Sequence, residues 1–538
     1  MYLYKNAHGD IIYIGKAAVL ADRVRSYFQK GADLSPKIRA LVAQVADFET
    51  LVTKSELEAL ILESNLIKRH RPRFNVVLRD DKQYPYLRLP IQDDFPRLSI
   101  VRRVQPDKAL YFGPYVPTGA MRETLKVIRK VFPLATCKIE IDGTADRACL
   151  EFEIKRCMAP CTGNQSKEEY HQIVQQVRWF LEGRDQELLA SLREDMQQLA
   201  EREEFEEAAR LRDRILKIER TLEKQRVAQV GPVDQDVVGL ARAGAAVDVQ
   251  MLFVRGGLLI GRRDFFWGDA GEITDEELVR STLEQFYNKA VLPPKEVLLP
   301  VGFEDQALVQ QWLSEKKGEA VKVLIPERGA KHQLRQLAQE NAAVALNEHL
   351  RIQSESREAV EELKSLLELP VVPHRVECFD ISNTMGAQSV ASMVVWENGR
   401  MKKADYRRFR IKTVEGANDF ASMHEVVKRR YGGTLATKIG KVLPCPDLIV
   451  IDGGAGQLGA AMEAMASVGL SRVAICGLAK AKGEKEERIF LPCRKAPVIL
   501  PEKSPATRLV QTIRDEAHRF AITFHRKLRS QALLPMKP

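Results

Sequence analysis

Two periods of apolar residues alternate along the first 80 positions. YLYK and IIYIG alternate on either side of His8-Gly9-Asp10, which predicts a β-hairpin, and helical spacing then predicts helices over Leu20 to Phe28, Lys37 to Val45 and Lys54 to Lys68. Lys82 to Tyr115 alternates in strand fashion and is broken by prolines. From about 170 to 225 the pattern is helical and heavily charged, and GPVDQD at 231–236 ends it. DVVGLAR and VQMLFVRGGLLIGRRDF read as strands, followed by a long helical stretch from about Lys331 to Leu367. Beyond Leu369-Pro370, VECFDIS, VASMVVWENG and KADYRRFRIK read as strands with turns between them. DLIVIDGG is a short buried strand ending in glycines, and ATRLVQTIRDEAHRFAITFHRKLRS is a terminal helix. There is no repeat of fixed period and no low-complexity tract. The fold class this predicts is multidomain α/β.

Composition narrows the classes. At roughly 150 residues per domain, 538 residues make about three or four domains. Lys+Arg exceeds Asp+Glu by 83 − 73 = 10, a modest excess that favours a polyanionic partner such as nucleic acid. A hydrophobic content of 45% argues against wholesale disorder. No apolar run approaches the roughly 18 residues of a membrane helix, and the N-terminus lacks a signal-peptide layout. A cytoplasmic protein with reduced thiols and no membrane partner is the expectation.

Candidate chemistry begins in the hairpin. Tyr2, Tyr13, Lys16, Arg23, Glu63 and Asn75 supply phenols, two cations and one carboxylate. Such a set can bind a phosphate, hold one divalent metal and remove a proton from water. A tyrosine serves as a base only if its pKa, about 10, is lowered, a task open to Lys16 or a metal-bound water. Aromatic cross-strand packing beside a surface glutamate explains the same residues without chemistry.

YLYKNAHGDIIYIGKAAVLADRVRSYF resembles a GIY-YIG nuclease domain, and with LESNLIKRHRPRFNVVLRDDKQYPYL it is similar to the version in the UvrC family of excision-repair nucleases. The resemblance implies Tyr13 as base, Arg23 on the phosphate and Glu63 on a divalent metal (Mg2+ or Mn2+), with Tyr2, Lys16 and Asn75 supporting. Met1 stands where the family's leader would end, so a shortened first strand is expected.

Cys137, Cys149, Cys157 and Cys161 are separated by eleven, seven and three residues. Four thiolates in a reducing compartment suit an iron–sulfur cluster or zinc, or remain unliganded; the usual zinc spacing of two close pairs is absent. The UvrC resemblance implies a [4Fe-4S] cluster. Cys378, Cys445, Cys476 and Cys493 stand singly on apolar segments, and a buried structural place is expected for each.

LREDMQQLAEREEFEEAARLRDRILKIE reads as an amphipathic helical hairpin. FEEAARLRDRI resembles the UVR motif, which implies a UvrB-binding seam formed by Phe205, Ala208, Ala209 and Ile215. Asp380 and Asp452 each follow an apolar strand, where a carboxylate is costly unless paired or bound to a cation. His518 can complete a metal shell, Asp419 is a further acid, and either aspartate also reads as a simple turn cap. Arg400 to Lys412 carries seven Lys/Arg against one Asp. Arg407, Arg408 and Arg410, interleaved with Tyr406 and Phe409, form a candidate DNA-binding surface. FDISN, GAQSVASMVVWENG, YRRFRIK and IDGGAGQL resemble the RNase H-like half of UvrC, which implies an Asp380-Asp452-His518 triad supported by Asp419.

The expected modules are a GIY-YIG nuclease domain at 1–80, a four-cysteine connecting region at 81–170, a UVR hairpin at 188–225, an α/β linker domain without evident chemistry at 236–370 and an RNase H-like endonuclease domain at 374–532. The resemblance implies dual incision, 3′ and 5′ of a lesion, in a UvrB–damaged-DNA complex, with UvrA involved indirectly. Family members continue into helix-hairpin-helix motifs, whereas this chain stops at SQALLPMKP. A non-catalytic or single-incision DNA-binding scaffold is therefore the alternative.

Overall fold

Strand alternation at the N-terminus becomes a three-stranded antiparallel sheet in the computed structural model. Strand β1 (Tyr2–Lys5) lies between β2 (Ile11–Gly15) and β3 (Asp47–Thr50). Tyr2 is paired on both edges and buried. The structure describes residues 1–29, 36–78, 83–225, 233–289, 291–382, 390–414, 418–480, 487–492 and 494–532, with backbone alone at 221–225, 382, 480 and 524–532. Cys493 and parts of the FDISN and GAQSV segments lie outside these residues. The described residues form two units, Met1–Asn347 and Glu348–Pro538.

In the first unit, α1 (Leu20–Phe28) and α2 (Pro36–Val42) precede α3 (Glu56–His70). Helix α3 starts where the Ser55 side chain accepts from Glu58 N; acids fill its first turn and Lys68, Arg69 and His70 its last, as the helix dipole favours. Next, β4 (Tyr86–Leu89) pairs with β5 (Ser99–Val101) and β6 (Leu110–Phe112), followed by α4 (Thr118–Val131) and the short α5 (Leu150–Glu153). The expected helical run divides into α6 (Lys167–Glu182), α7 (Asp185–Glu201) and α8 (Phe205–Gln225). A Ser166–Glu169 capping box opens α6 and a left-handed Gly183 ends it.

The third sheet has β7 (Gln235–Ala243), β8 (Ala246–Arg255) and β9 (Leu258–Trp267) as a meander, then α9 (Asp275–Tyr287), β10 (Glu296–Leu298), α10 (Gln306–Lys317), β11 (Lys322–Leu324) and α11 (Gly329–Leu367). Its order is β11-β10-β7-β8-β9, with β10 parallel to β7 and β11. One face buries Val249, Met251 and Phe253 with Leu283, Phe286 and Trp312. The other buries Val237, Leu252 and Val254 with Leu334 and Ala338 of α11. Gly239 permits that approach, because a Cβ there would stand 2.2 Å from Ala338 backbone.

The second unit repeats this scheme. Strands β12 (Arg375–Ser382), β13 (Val390–Glu397), β14 (Arg400–Met401) and β15 (Arg407–Arg410) precede α12 (Asp419–Tyr431) and α13 (Thr434–Ile439). Then come β16 (Leu448–Asp452), α14 (Ala455–Ser467), β17 (Ala474–Lys480), β18 (Glu487–Phe490), β19 (Val498–Ile499) and α15 (Pro505–Ala532). The order is β14-β13-β12-β16-β17-β18-β19, with β15 on β13 and with β12, β16 and β17 parallel. Three antiparallel strands followed by two parallel ones, in the order 3-2-1-4-5, therefore occur twice in the chain. The stretch at 236–370, expected to be an α/β linker domain without evident chemistry, shares this order over its sheet. LIVI is apolar throughout because both faces are covered: Leu448 and Val450 pack with Val510 and Ile513 of α15, Ile449 and Ile451 with Met423 and Leu458. Cys378 and Cys476 are buried as expected, but Cys445 is exposed, in the loop before β16 rather than inside the apolar strand.

Two candidate nuclease sites

Parallel pairing of β12 with β16 sets Phe379 opposite Ile451, so Asp380 and Asp452 emerge side by side at the carboxyl ends of the strands. Helix α15 is tied to the sheet by Ser392 Oγ, which donates to Ala517 O at 2.9 Å. The next residue, His518, places Nδ1 3.4 Å from Asp380 Oδ2. One ligand atom each of Asp380, Asp452 and His518 lies within 4.8 Å of the others. Asp380 is 5% exposed. Burial, and next the neighbouring Asp380 charge, push the Asp452 carboxyl up to about 7, while Arg514 and His518 oppose the shift. Two crowded carboxylates beside an imidazole, with an open side at His518, fit a divalent cation. Asp419 opens α12 and is not in this group of atoms.

A cation held at this cluster would compete with the Asp452 proton. Cation binding must displace its proton, so affinity should fall about tenfold per pH unit below about 7. Its folded-state pKa exceeds the unfolded value of about 4, so the folded chain holds the extra proton between those values and metal-free stability falls as pH rises through that window. Added Mg2+ should raise the melting temperature more at pH 8 than at pH 5.5; equal rises would exclude this carboxyl as a ligand.

The N-terminal constellation is more enclosed. A Cβ on Gly15 would stand 2.5 Å from the Tyr2 ring, so the glycine lets that ring cross the strand. Tyr2 and Tyr27 share a 2.9 Å hydrogen bond, and the rings of Tyr2, Tyr4, Tyr13 and Tyr27 lie 5.2–6.4 Å apart, centroid to centroid. Asn75 acts as a strand partner: its Nδ2 donates to Ile14 O and its Oδ1 accepts from Ile14 N, both at 2.8 Å. Arg23 sits over Tyr27, 5.4 Å from the ring centre.

Glu63 is 2% exposed, not on the surface, and its Oε2 has no hydrogen-bond partner among the described residues. Burial raises its carboxyl, against the pull of Arg280 and Lys16. That orphaned oxygen suits a metal ligand. Lys16 was, with a metal-bound water, one of two agents expected to lower the Tyr13 pKa. It instead bonds Asp305 at 2.8 Å, and Arg280 reaches the same carboxylate at 3.2 Å. Burial, with Tyr2 and Tyr27 adding to it, holds the Tyr13 phenol well above its usual value. Helix α9 and the turn before α10 thus close over this site with residues that the sequence did not mark.

Other expected residues divide. Ala208 and Ile215 are buried, Ile215 in a core with Leu188 and Leu192 of α7 and Leu125 and Ile128 of α4, so neither lies on an open seam; Ala209 is half-buried and Phe205 is 64% exposed. Arg408 and Arg410 are exposed, whereas Arg407 donates to Ala404 O and Tyr406 O. Tyr406 and Phe409 are buried, which rules them out as stacking platforms. The four cysteines lie near enough to repel one another as thiolates, and burial chiefly raises Cys157 and Cys161.

A carboxylate–imidazole centre at the parallel strand ends of an RNase H-like sheet, together with a second phenol–carboxylate centre, defines a metal-dependent endonuclease. Matches to known families cover most of the chain: "UvrC-like GIY-YIG domain" at residues 1–76, "UvrC/Cho excinuclease, middle domain" at 84–180, "UvrB/uvrC motif" at 186–221, "UvrC Ribonuclease H-like domain" at 234–349 and "UvrC RNAse H endonuclease domain" at 364–522. The UvrABC system protein C of Moorella thermoacetica is 44% identical over 99% of this chain and 86% of its own length. That of Alkaliphilus oremlandii is 40% identical over 99% and 88%. A crystal structure of the GIY-YIG domain of UvrC from Thermotoga maritima, bound to its catalytic divalent cation, is 42% identical over 14% of this chain and 80% of its own, with a TM-score of 0.13. The chain belongs to the UvrC family, the nuclease subunit of nucleotide excision repair.

Proposed function

We propose that this chain makes both cuts around a lesion, the GIY-YIG module on the 3′ side and the RNase H-like module on the 5′ side. The observation that carries this reading is the convergence of Asp380, Asp452 and His518 at one strand end. There Asp380 and Asp452 would hold the divalent cation (Mg2+ or Mn2+), with His518 completing the shell. When bound, it would supply charge neutralisation at phosphorus and a more acidic water. His518, exposed at the mouth, orients the attacking water, and Asp419 is a supporting acid. In the N-terminal module Glu63 is the ligand and Arg23 faces the phosphate; Tyr13 can take a proton from the attacking water only as the phenolate, so its own proton must first leave to solvent, an ionisation that the charge of a cation held by Glu63 would favour. Tyr2 and Lys16 support the phenol, and Asn75 keeps the YIG strand in place.

The modules follow the bounds 1–80, 81–170, 188–225, 236–370 and 374–532. Exposed Phe205 is the UvrB contact at the tip of the hairpin, with Ala209 beside it, and UvrA acts through UvrB. Arg408 and Arg410 meet damaged duplex DNA, with Arg407 fixing their strand. No described helix is long and apolar enough to cross a membrane, and a cytoplasmic setting fits the reduced thiols. Cys137, Cys149, Cys157 and Cys161 hold a [4Fe-4S] cluster, whose thiolates stand wider apart than those of zinc. Anaerobically purified protein should be brown, with a broad visible band that reduction bleaches; a colourless protein carrying zinc would overturn the cluster.

The dual-incision reading is tested on a lesion-bearing duplex with UvrA, UvrB and Mg2+. Two cuts on the damaged strand are expected. A chain that cuts neither side where a relative cuts both is a scaffold.

A further inference from the structure

The duplicated sheet leaves a second strand-end cleft, in the first unit, that the nuclease chemistry does not use. In the second unit the carboxyl ends of two parallel neighbours, β12 and β16, carry Asp380 and Asp452. The corresponding neighbours β7 and β10 lead instead to Leu240 and to Pro300-Val301, and these line a cavity of about 300 Å³. Clefts outside the carboxyl ends of parallel strands, where the connections diverge, are where such sheets bind ligands. The acid pair is absent here, and helix α11 brings Arg335 and Gln336 to the wall in its place.

The charge balance decides what fits. Asp275, the one carboxylate on the wall, is matched by Arg242, whose Nε and NH2 reach its Oδ1 at 2.9 and 2.7 Å. Gln339 has both ends of its amide on the backbone of Leu240, which pins α11 to β7. Arg335 has only weak claims on it. Its NH1 lies 3.5 Å from Pro300 O, and its NH2 lies 3.2 Å from His332 Nδ1, a nitrogen that also faces Pro326 O at 3.1 Å. No carboxylate pairs with Arg335 among the described residues. A guanidinium with free N–H groups at a half-open cavity, beside the Gln336 amide, is a fork for a tetrahedral anion.

We propose that this cleft is a non-catalytic phosphate site that takes a backbone phosphate of the DNA duplex, held directly by Arg335 with Gln336 as second donor. In the second unit, by contrast, Asp380 and Asp452 would hold a cation, which would supply the positive charge for a phosphate there. The volume exceeds what a bare phosphate needs and sits at the small end of ligand pockets, about 300–1,000 Å³, which suits a phosphate with part of its sugar. DNA as the source rests on the nuclease reading above; the phosphate chemistry does not.

The test is binding of a fluorescently labelled duplex by the full chain at several salt concentrations. Arg335→Ala should weaken binding about three- to tenfold and reduce the slope of log K against log salt by about 0.9, the loss of one phosphate contact. Arg335→Lys should keep the slope. Both substitutions lie at a partly exposed helix position, and melting curves confirm the fold. Affinity and slope unchanged in Arg335→Ala overturn the proposal. In a second arm, 31P line broadening of inorganic phosphate should be seen with wild type and lost in Arg335→Ala. Broadening lost while duplex binding is unchanged overturns DNA as the source and leaves a small phosphate ester. A wild-type chain that binds no duplex refutes the nuclease reading instead, and the phosphate arm still decides the pocket.

Discussion

Replacing Asp380 by Asn should abolish one of the two cuts by about 10³-fold or more, equivalent to about 4 kcal/mol of transition-state stabilisation, while the other cut persists. Asp380 is 5% exposed and shares its site with Asp452 and His518, so the amide removes a ligand charge without changing side-chain volume. It also removes the second-largest influence holding the Asp452 carboxyl near 7, so that group should drop toward its ordinary range. Metal-free Asp380→Asn protein should therefore melt no lower than wild type at pH 8, even though it has lost a cut. Gel mapping of both incision positions, with a melting curve on the same sample, checks this. Loss of both cuts, or a lower melting temperature, would mean that Asp380 is a structural group.

This site was legible in the sequence for a physical reason. VECFD and LIVID each run apolar residues into an acid, and chains seldom bury carboxylates without a partner. What closes over the N-terminal site was not legible. Arg280 and Asp305 lie more than 200 positions from Lys16 and Glu63, in helix and turn segments that look solvated when taken alone. The duplication was equally hidden. Strand order is a property of backbone pairing, and where one copy has aspartates the other has Leu240 and Pro300. Period-two geometry would have placed Phe409 inward and Arg408 and Arg410 outward, so treating that strand as one mixed surface ignored its alternation. Likewise Ile215 belonged to a face that α7 already covers.

Glu63→Gln should eliminate the other cut, again by about 10³-fold, yet leave the metal-free protein more heat-stable than wild type. Both effects come from one buried atom. Glu63 Oε2 is sealed from water without a hydrogen-bond partner among the described residues, and burial outweighs the attraction of Arg280 and Lys16 in raising the carboxyl. A carboxyl raised on folding binds its proton more tightly in the folded chain, so its ionisation costs stability increasingly as pH climbs above the unfolded value, about 4.3. Gln has the same shape and no charge to desolvate. Its melting-temperature advantage should therefore be larger at pH 8 than at pH 5, and should shrink when Mg2+ or Mn2+ gives the wild-type carboxylate a partner. A variant that melts below wild type at pH 8 would show that the Arg280 and Lys16 charges need Glu63 as their counterion, which makes the residue a structural anchor. A variant that still makes both cuts would remove Glu63 from the metal site altogether.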